Sequence, residues 1–319
     1  MREKEFLKTT HLIGYPILKC LLNDIVEKDF TYCVYFDTRN LLPIHKPYQQ
    51  APILKKARQD RYLIAKTLMH LASYWAKFFD EMGVEFVFIF FDDNQNYSYH
   101  FDLYPEYKHK RIERKKRYAK SMGKKYTMFQ KLYRKNIRAI SKSFLPFKNV
   151  FYISLEDIES DFIPYFCMEE FFTAPCYKHI ILSGDKDFSQ LLSNPHTYQI
   201  IQKGTTYSIR NKENALSHLL KDPCRELHYL KDPVFFSLAL SIGGDVADSI
   251  KSIGKISAYG ACLYLDSLLK NRVITPEDYT PQKLFAKITN NHFISEKVLS
   301  HQELIQTNYK LISFKEIKL

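Results

Sequence analysis

The apolar positions of this chain change period several times, and each change marks an element. Short continuous apolar runs at 32–36 (YCVYF), 84–91 (VEFVFIFF), 149–153 and 179–183 read as buried strands. A strand covered on both faces has no polar alternation to keep. Between the first two runs, Leu63, Ile64, Leu68, Leu71, Trp75, Phe78, Phe79 and Met82 recur at three- and four-residue spacing. That period predicts a long amphipathic helix within 56–82, closed by Gly83. Residues 198–210 hold two short β runs about Lys203-Gly204, a hairpin pattern. The apolar positions before residue 30 predict a helix or capping segment, and those after 155 a helix through about Phe172. From 233 onward the pattern is helical, over 233–242, 256–270, 281–290 and 295–306. Strand–helix alternation followed by helices predicts an α/β fold, with a mostly parallel sheet flanked by helices over 1–210 and a helical domain over 211–319.

The predicted strands end in acids. The first gives Asp37, the second Asp92 and Asp93, the third leads to Glu159 and Asp161, and the fourth to Asp185 and Asp187. Parallel strands share one carboxyl edge, so these groups are expected to converge. A further pair, Asp245 and Asp248, sits in the Gly-rich turn SIGGDVADSI. One DxD alone is as well explained by a helix cap. Recurrence over four strands favours cation binding. Bare carboxylates about 4 Å apart repel by about 1–4 kcal/mol a pair, and a hard divalent ion relieves this. Oxygen donors without His or Cys point to Mg²⁺, with Mn²⁺ as a substitute, rather than zinc. Two such ions about 3.5–4 Å apart would activate water and stabilise the leaving oxygen in phosphodiester cleavage.

Charge supplies the second clue. The total is +12, yet residues 108–142 alone hold fifteen Lys or Arg against one acid, Glu113, leaving −2 for the rest. A basic arm with Tyr118, Tyr126, Phe129 and Tyr133 interleaved suits single-stranded nucleic acid, where cations meet phosphate and rings stack on bases. Hydrophobic content of 45% and charged content of 26% over 319 residues fit a globular protein. No apolar run of spanning length, no export signal in MREKEFLKTT, and six scattered cysteines predict a cytoplasmic location without a membrane (the host's cytoplasm if the chain is viral).

Five stretches stand in an order similar to that of the 5′-nuclease superfamily: YFDTRNLL (35–42), FFDDNQNYSYHFDLYPEYKHKR (90–111), LEDIESDF (155–162), ILSGDKDFSQLL (181–192) and SIGGDVADSIKSIG (241–254). The chain resembles most the bacteriophage ribonuclease H branch, through LYPEYKHKR and the tail TNYKLISF (307–314). The resemblance implies a PIN-like sheet, a helical arch at about 97–145, and a duplex-binding helix–three-turn–helix segment at about 241–270. It implies Asp37, Asp93, Glu159 and Asp161 on a first metal, and Asp185, Asp187 and Asp245 on a second, with Asp248 outside them. Lys108 and Arg111 would meet the scissile phosphate at the base of the arch, and Tyr107 would stack on a base. Arg114, Lys115, Lys116, Arg117 and Lys120 of the arm, with Lys251 and Lys255, would bind nucleic acid.

Two positions depart from the pattern. Phe162 stands where the phage enzymes carry another acid, and Gly254-Lys255-Ile256-Ser257 replaces the Gly-x-Gly-like hairpin that in the family presents backbone to a DNA phosphate, sometimes through a potassium ion. The expected function is a Mg²⁺-dependent 5′ nuclease, a 5′–3′ exonuclease or flap endonuclease that removes RNA primers. Its expected partners are DNA and RNA–DNA hybrid with free 5′ ends, and a single-strand-binding protein or sliding clamp; it is expected to be a monomer. A DNA-binding protein without catalysis would have no use for eight acids at these places. A PIN-type endoribonuclease is usually shorter and lacks the PEYK arm.

Overall fold

Strands β1 (Thr31–Asp37), β2 (Phe86–Phe91), β3 (Val150–Ile153), β4 (Tyr177–Leu182), β5 (Thr197–Lys203) and β6 (Thr206–Arg210) form one sheet in the order β3-β2-β1-β4-β5-β6. This is a computed structural model, and it describes residues 19–20, 22–23, 25–41, 53, 55, 60–92, 98–144, 147–155, 158–203, 206–216, 227–289 and 293–317. β1 pairs in parallel with β2 on one side (Phe36 opposite Phe90) and β4 on the other (Phe36 opposite Leu182), and β2 pairs in parallel with β3. The central strands are therefore covered, which is why their sequences are apolar without alternation. The carboxyl ends of all four lie along one edge.

Helix α1 (Leu63–Met82) lays Leu68, Trp75, Phe78 and Phe79 on the sheet and ends at Gly83, whose φ of 67° glycine adopts without cost. The 56–59 part of its predicted range lies outside the described residues, as does most of the predicted segment before residue 30. Phe36 stacks on Phe90 at 4.4 Å and meets Trp75 edge-on at 5.8 Å.

The basic arm is built from α2 (Ser98–Leu103), α3 (His109–Met122) and α4 (Lys124–Phe144), with α3 and α4 parted at Gly123. α3 buries none of its side chains. α4 instead buries Phe129, Tyr133, Asn136, Ile140 and Phe144, a stripe at helical spacing that packs in the core with α1. This corrects one expectation. Phe129 and Tyr133 are core residues and present no ring for a base, whereas Tyr118 is exposed and Tyr126 half-buried. The helix expected through Phe172 is α5 (Phe162–Phe166) followed by a wider turn to Phe171.

By contacts the chain forms two units that interleave along the sequence. Unit one comprises 1–95, 115–185 and 198–209, and unit two 96–114, 186–197 and 210–319. The core of unit two is made by α6 (Phe236–Gly243), α7 (Ala258–Lys270), α8 (Pro281–Lys287), α9 (Phe293–Ser300) and α10 (Gln302–Ile312). Ser257 and Thr280 cap α7 and α8 through their hydroxyls. The single helix expected over 295–306 is divided at His301. A Cβ on Gly243 would lie 2.3 Å from the Ala258 Cα, so α6 and α7 touch backbone to backbone. Among the described residues, no helix is long and apolar enough to cross a membrane.

Candidate metal centre and nucleic-acid interface

In unit one, Asp37 is the last residue of β1 and is buried. Its carboxylate accepts hydrogen bonds from the Ser183 hydroxyl (2.7 Å), the Asn40 amide nitrogen (3.1 Å) and the Asn40 side chain. Burial, with the Asp185 charge adding to it, pushes the Asp37 pKa up to about 6 against the pull of those donors. Asp185 is half-buried, and its amide donates to the Ser183 hydroxyl at 3.1 Å. Ser183 thus links both acids. Asp185, which the resemblance assigns with Asp187 and Asp245, lies electrostatically against Asp37.

Asp92, directly after β2, accepts from Arg39 Nε at 2.7 Å and from the Tyr133 hydroxyl at 2.9 Å, with the Arg39 guanidinium over the Tyr133 ring. Asp93 lies outside the described residues. Glu159 is buried, and Asp161 is half-buried at the N-terminus of α5. Phe162 is a core residue packed near Phe166.

Unit two gathers its acids more tightly. Asp187, Asp245 and Asp248 each offer an oxygen, all within 4.8 Å of one another, and no other trio of described His, Cys, Asp or Glu side chains meets so closely. The Gly-rich turn places two of them: the Asp245 amide donates to the Ile250 carbonyl at 3.0 Å, and the Ile250 amide returns the bond at 2.8 Å. Lys186 pairs with Asp245 and lies 3.7 Å from Asp187. Burial pulls the Lys186 pKa down, but the Asp187 and Asp245 charges outweigh it and hold the ammonium above the usual lysine range. An all-oxygen set of mostly buried carboxylates that already attracts an ammonium fits a hard divalent ion.

Lys108 and Arg111 both turn to Asp248, at 3.9 Å and 2.9 Å. Lys108 is only 3% exposed, has a left-handed backbone (φ 52°), and sits 5.0 Å from the Tyr107 ring centroid. Tyr107 in turn stacks on His100 at 4.6 Å. Tyr107 is 3% exposed inside the core of unit two, so its ring supports Lys108 and is not offered to a base. Arg114, Lys116, Arg117 and Lys120 are exposed on α3, and Lys115 is half-buried. Lys251 is exposed and pairs with Glu106 at 2.9 Å. Lys255 is exposed, and the preceding Gly254 carbonyl accepts from Lys297 Nζ at 3.1 Å. The chain's own ammonium thus occupies that hairpin carbonyl.

The chain superposes on bacteriophage T5 5′-exonuclease with zinc bound at a TM-score of 0.59 and 14% identity, covering 88% of this chain and 89% of that one. The fold is that of the T5 5′-exonuclease. A complex of the T5 flap endonuclease with DNA and metal ions gives a TM-score of 0.56 at 15% identity, over 89% of both chains. The sequence itself matches no protein-family model and no curated protein.

The T5 5′-exonuclease fold accounts for the parallel strands whose ends carry Asp37, Asp92 and Asp185. Sequence reasoning missed Lys186, Arg39, Ser183, Asn40 and His100. Arg39 and Asn40 stand within three residues of Asp37, and Lys186 between two acids, so proximity was an available signal for these. Ser183, two residues before Asp185, offered the same signal; His100 reads from sequence as an ordinary loop residue, whereas it is buried in α2 against Tyr107.

Proposed function

We propose that this chain is a divalent-metal-dependent nuclease that hydrolyses phosphodiester bonds near free 5′ ends, with Mg²⁺ as its working ion. The carrying observation is the Asp187, Asp245 and Asp248 trio, held within 4.8 Å and backed by Lys108 and Arg111. These three would hold one ion. Asp37 and Asp185, with Glu159, Asp161 and Asp93, would hold a second. Bound ions would supply an acidified water and neutralise charge on the departing oxygen.

The protein's own groups do the rest. Lys108, buried, fixes Asp248; Arg111, about one-third exposed, is the guanidinium able to meet a phosphate in a planar fork. The exposed cations of α3 attract the backbone of a single strand, and Lys251 and Lys255 that of a duplex. The substrates we favour are 5′ flaps, nicked duplexes and RNA primers on DNA, the last being the substrate expected of the phage ribonuclease H branch. Association with a single-strand-binding protein or clamp, and action as a monomer in the cytoplasm, complete the reading.

The test is incubation with 5′-labelled flap, nicked and RNA-primed substrates, with and without Mg²⁺. Wild type should cleave at least one only with the metal, and Asp245→Asn should lower the rate at least about 100-fold, the scale of several kcal/mol of charge stabilisation. Undiminished cleavage by Asp245→Asn would refute the metal role of the trio. DNA binding without cleavage of any substrate would leave a binding protein of this fold.

A further inference from the structure

Lys186 belongs to none of the roles above, although it stands between Asp185 and Asp187 in the chain and inside the trio in space. Its Nζ forms an ion pair with Asp245 Oδ2 and lies 3.7 Å from Asp187 Oδ1. A carboxylate oxygen engaged by an ammonium has that lone pair withheld from a metal, and a divalent ion about 4 Å from the ammonium would repel it. Both cannot sit on Asp187 and Asp245 together.

The three cations on the trio differ in their freedom. Lys108 is walled in at 3% exposure, and its backbone amide is tied to the Asp248 carbonyl at 2.7 Å. Lys186 has a side chain 32% exposed and a flexible four-carbon stem. It can leave without disturbing the core.

We propose that Lys186 is a built-in counter-ion that competes with the divalent ion for Asp187 and Asp245. It holds these acids together in the metal-free protein and swings out to solvent when the ion enters. Lys186 thereby sets the affinity of that ion. The inference rests on the metal-binding reading of the trio, and its test separates the two.

Mn²⁺ binding to the full chain is measured by electron paramagnetic resonance of the free ion, for wild type, Lys186→Met, Lys186→Arg and Asp245→Asn. The ion lost in Asp245→Asn should bind Lys186→Met about tenfold more tightly than wild type, or better, while Lys186→Arg stays within about threefold. In EDTA, Lys186→Met should melt below wild type, and Mn²⁺ should raise its melting temperature by more. Amine-selective labelling of wild type, read by mass spectrometry, keeps the proposal open to refutation if Lys186→Met does not fold. Labelling of Lys186 should rise at saturating Mn²⁺. Unchanged affinity in Lys186→Met, or unchanged labelling in wild type that does bind Mn²⁺, overturns the counter-ion role alone. Mn²⁺ binding that Asp245→Asn leaves intact overturns the metal reading of the trio and this inference with it.

Discussion

Asp37 in unit one and the acid trio of unit two are held in opposite ways. The Asp37 carboxylate of unit one accepts from neutral donors, the Ser183 hydroxyl and the Asn40 side chain and amide. Asp187, Asp245 and Asp248 of unit two are met by the charges of Lys186, Lys108 and Arg111. The neutral donors do not offset the burial of Asp37, whose pKa is raised to about 6. A cation brought to Asp37 would meet no charge of the protein's own among these donors, whereas at Asp245 it would have to replace the ammonium of Lys186.

The strongest way to break this comparison is to remove a carboxylate that a buried cation depends on. Asp248→Ala would leave Lys108 enclosed opposite no carboxylate at that position, and should cost about 3–5 kcal/mol in urea unfolding. A loss below about 1 kcal/mol would mean that charge balance does not hold unit two.

A smaller effect tests unit one. The folded pKa of Asp37, about 6 against 3.8 unfolded, means the native state binds the proton more tightly. This group's contribution therefore falls as pH rises through that window, by about 3 kcal/mol in all. In EDTA, Asp37→Asn should be more stable than wild type by about 2–3 kcal/mol at pH 8, allowing for a lost acceptor, and should show no advantage at pH 4. A gain that is the same at both pH values would remove ionisation as the cause.

His100 should act in the other direction. Burial, with the Lys108 charge beside it, depresses its pKa to about 3. The neutral ring is stable above its unfolded value of about 6.5, and stability is lost as pH falls below it, by about 2 kcal/mol at pH 5. His100→Phe keeps a ring on Tyr107 and should abolish that slope. Because Asp37 and His100 oppose each other between about pH 4 and 6, only the variants resolve them.

The smallest change in stability is expected on the arm. Changing Lys115, Lys116 and Arg117 to Gln should shift folding by no more than about 0.5 kcal/mol, since α3 buries nothing. The same change should flatten the logarithmic salt dependence of DNA binding by about 2–3. An unchanged salt slope would mean that these cations do not touch phosphate.

Much of unit one was legible because its signals are local. Apolar runs ending in Asp37, Asp92 and Asp185 need only strand chemistry, and the Leu63–Met82 helix announces itself by period and by Gly83. The same local reading failed on α4, where the density of cations concealed the spacing of Phe129, Tyr133, Asn136, Ile140 and Phe144. Asp92 meets Tyr133, and Lys186 meets Asp245, across 41 and 59 residues, distances at which no period carries information. The expected boundary at 210 reflected a change of pattern in sequence. Contact instead sorts 96–114 and 186–197 with the C-terminal helices, as the packing of Tyr107 and of Phe188 near Phe314 makes plain.

The glycine pair ahead of Asp245 decides which substitutions around it can be absorbed. Gly243 leaves no room for a Cβ against Ala258, and Gly244, with φ 72°, runs 2.6 Å from the Ser252 nitrogen at its missing Cβ. The mount of Asp245 is therefore main chain on main chain. Replacing Lys186 changes the charge beside an Asp245 whose backbone stays put, whereas any side chain at Gly243 displaces Asp245 itself. The charge around Asp245 is thus open to substitution while its position is not.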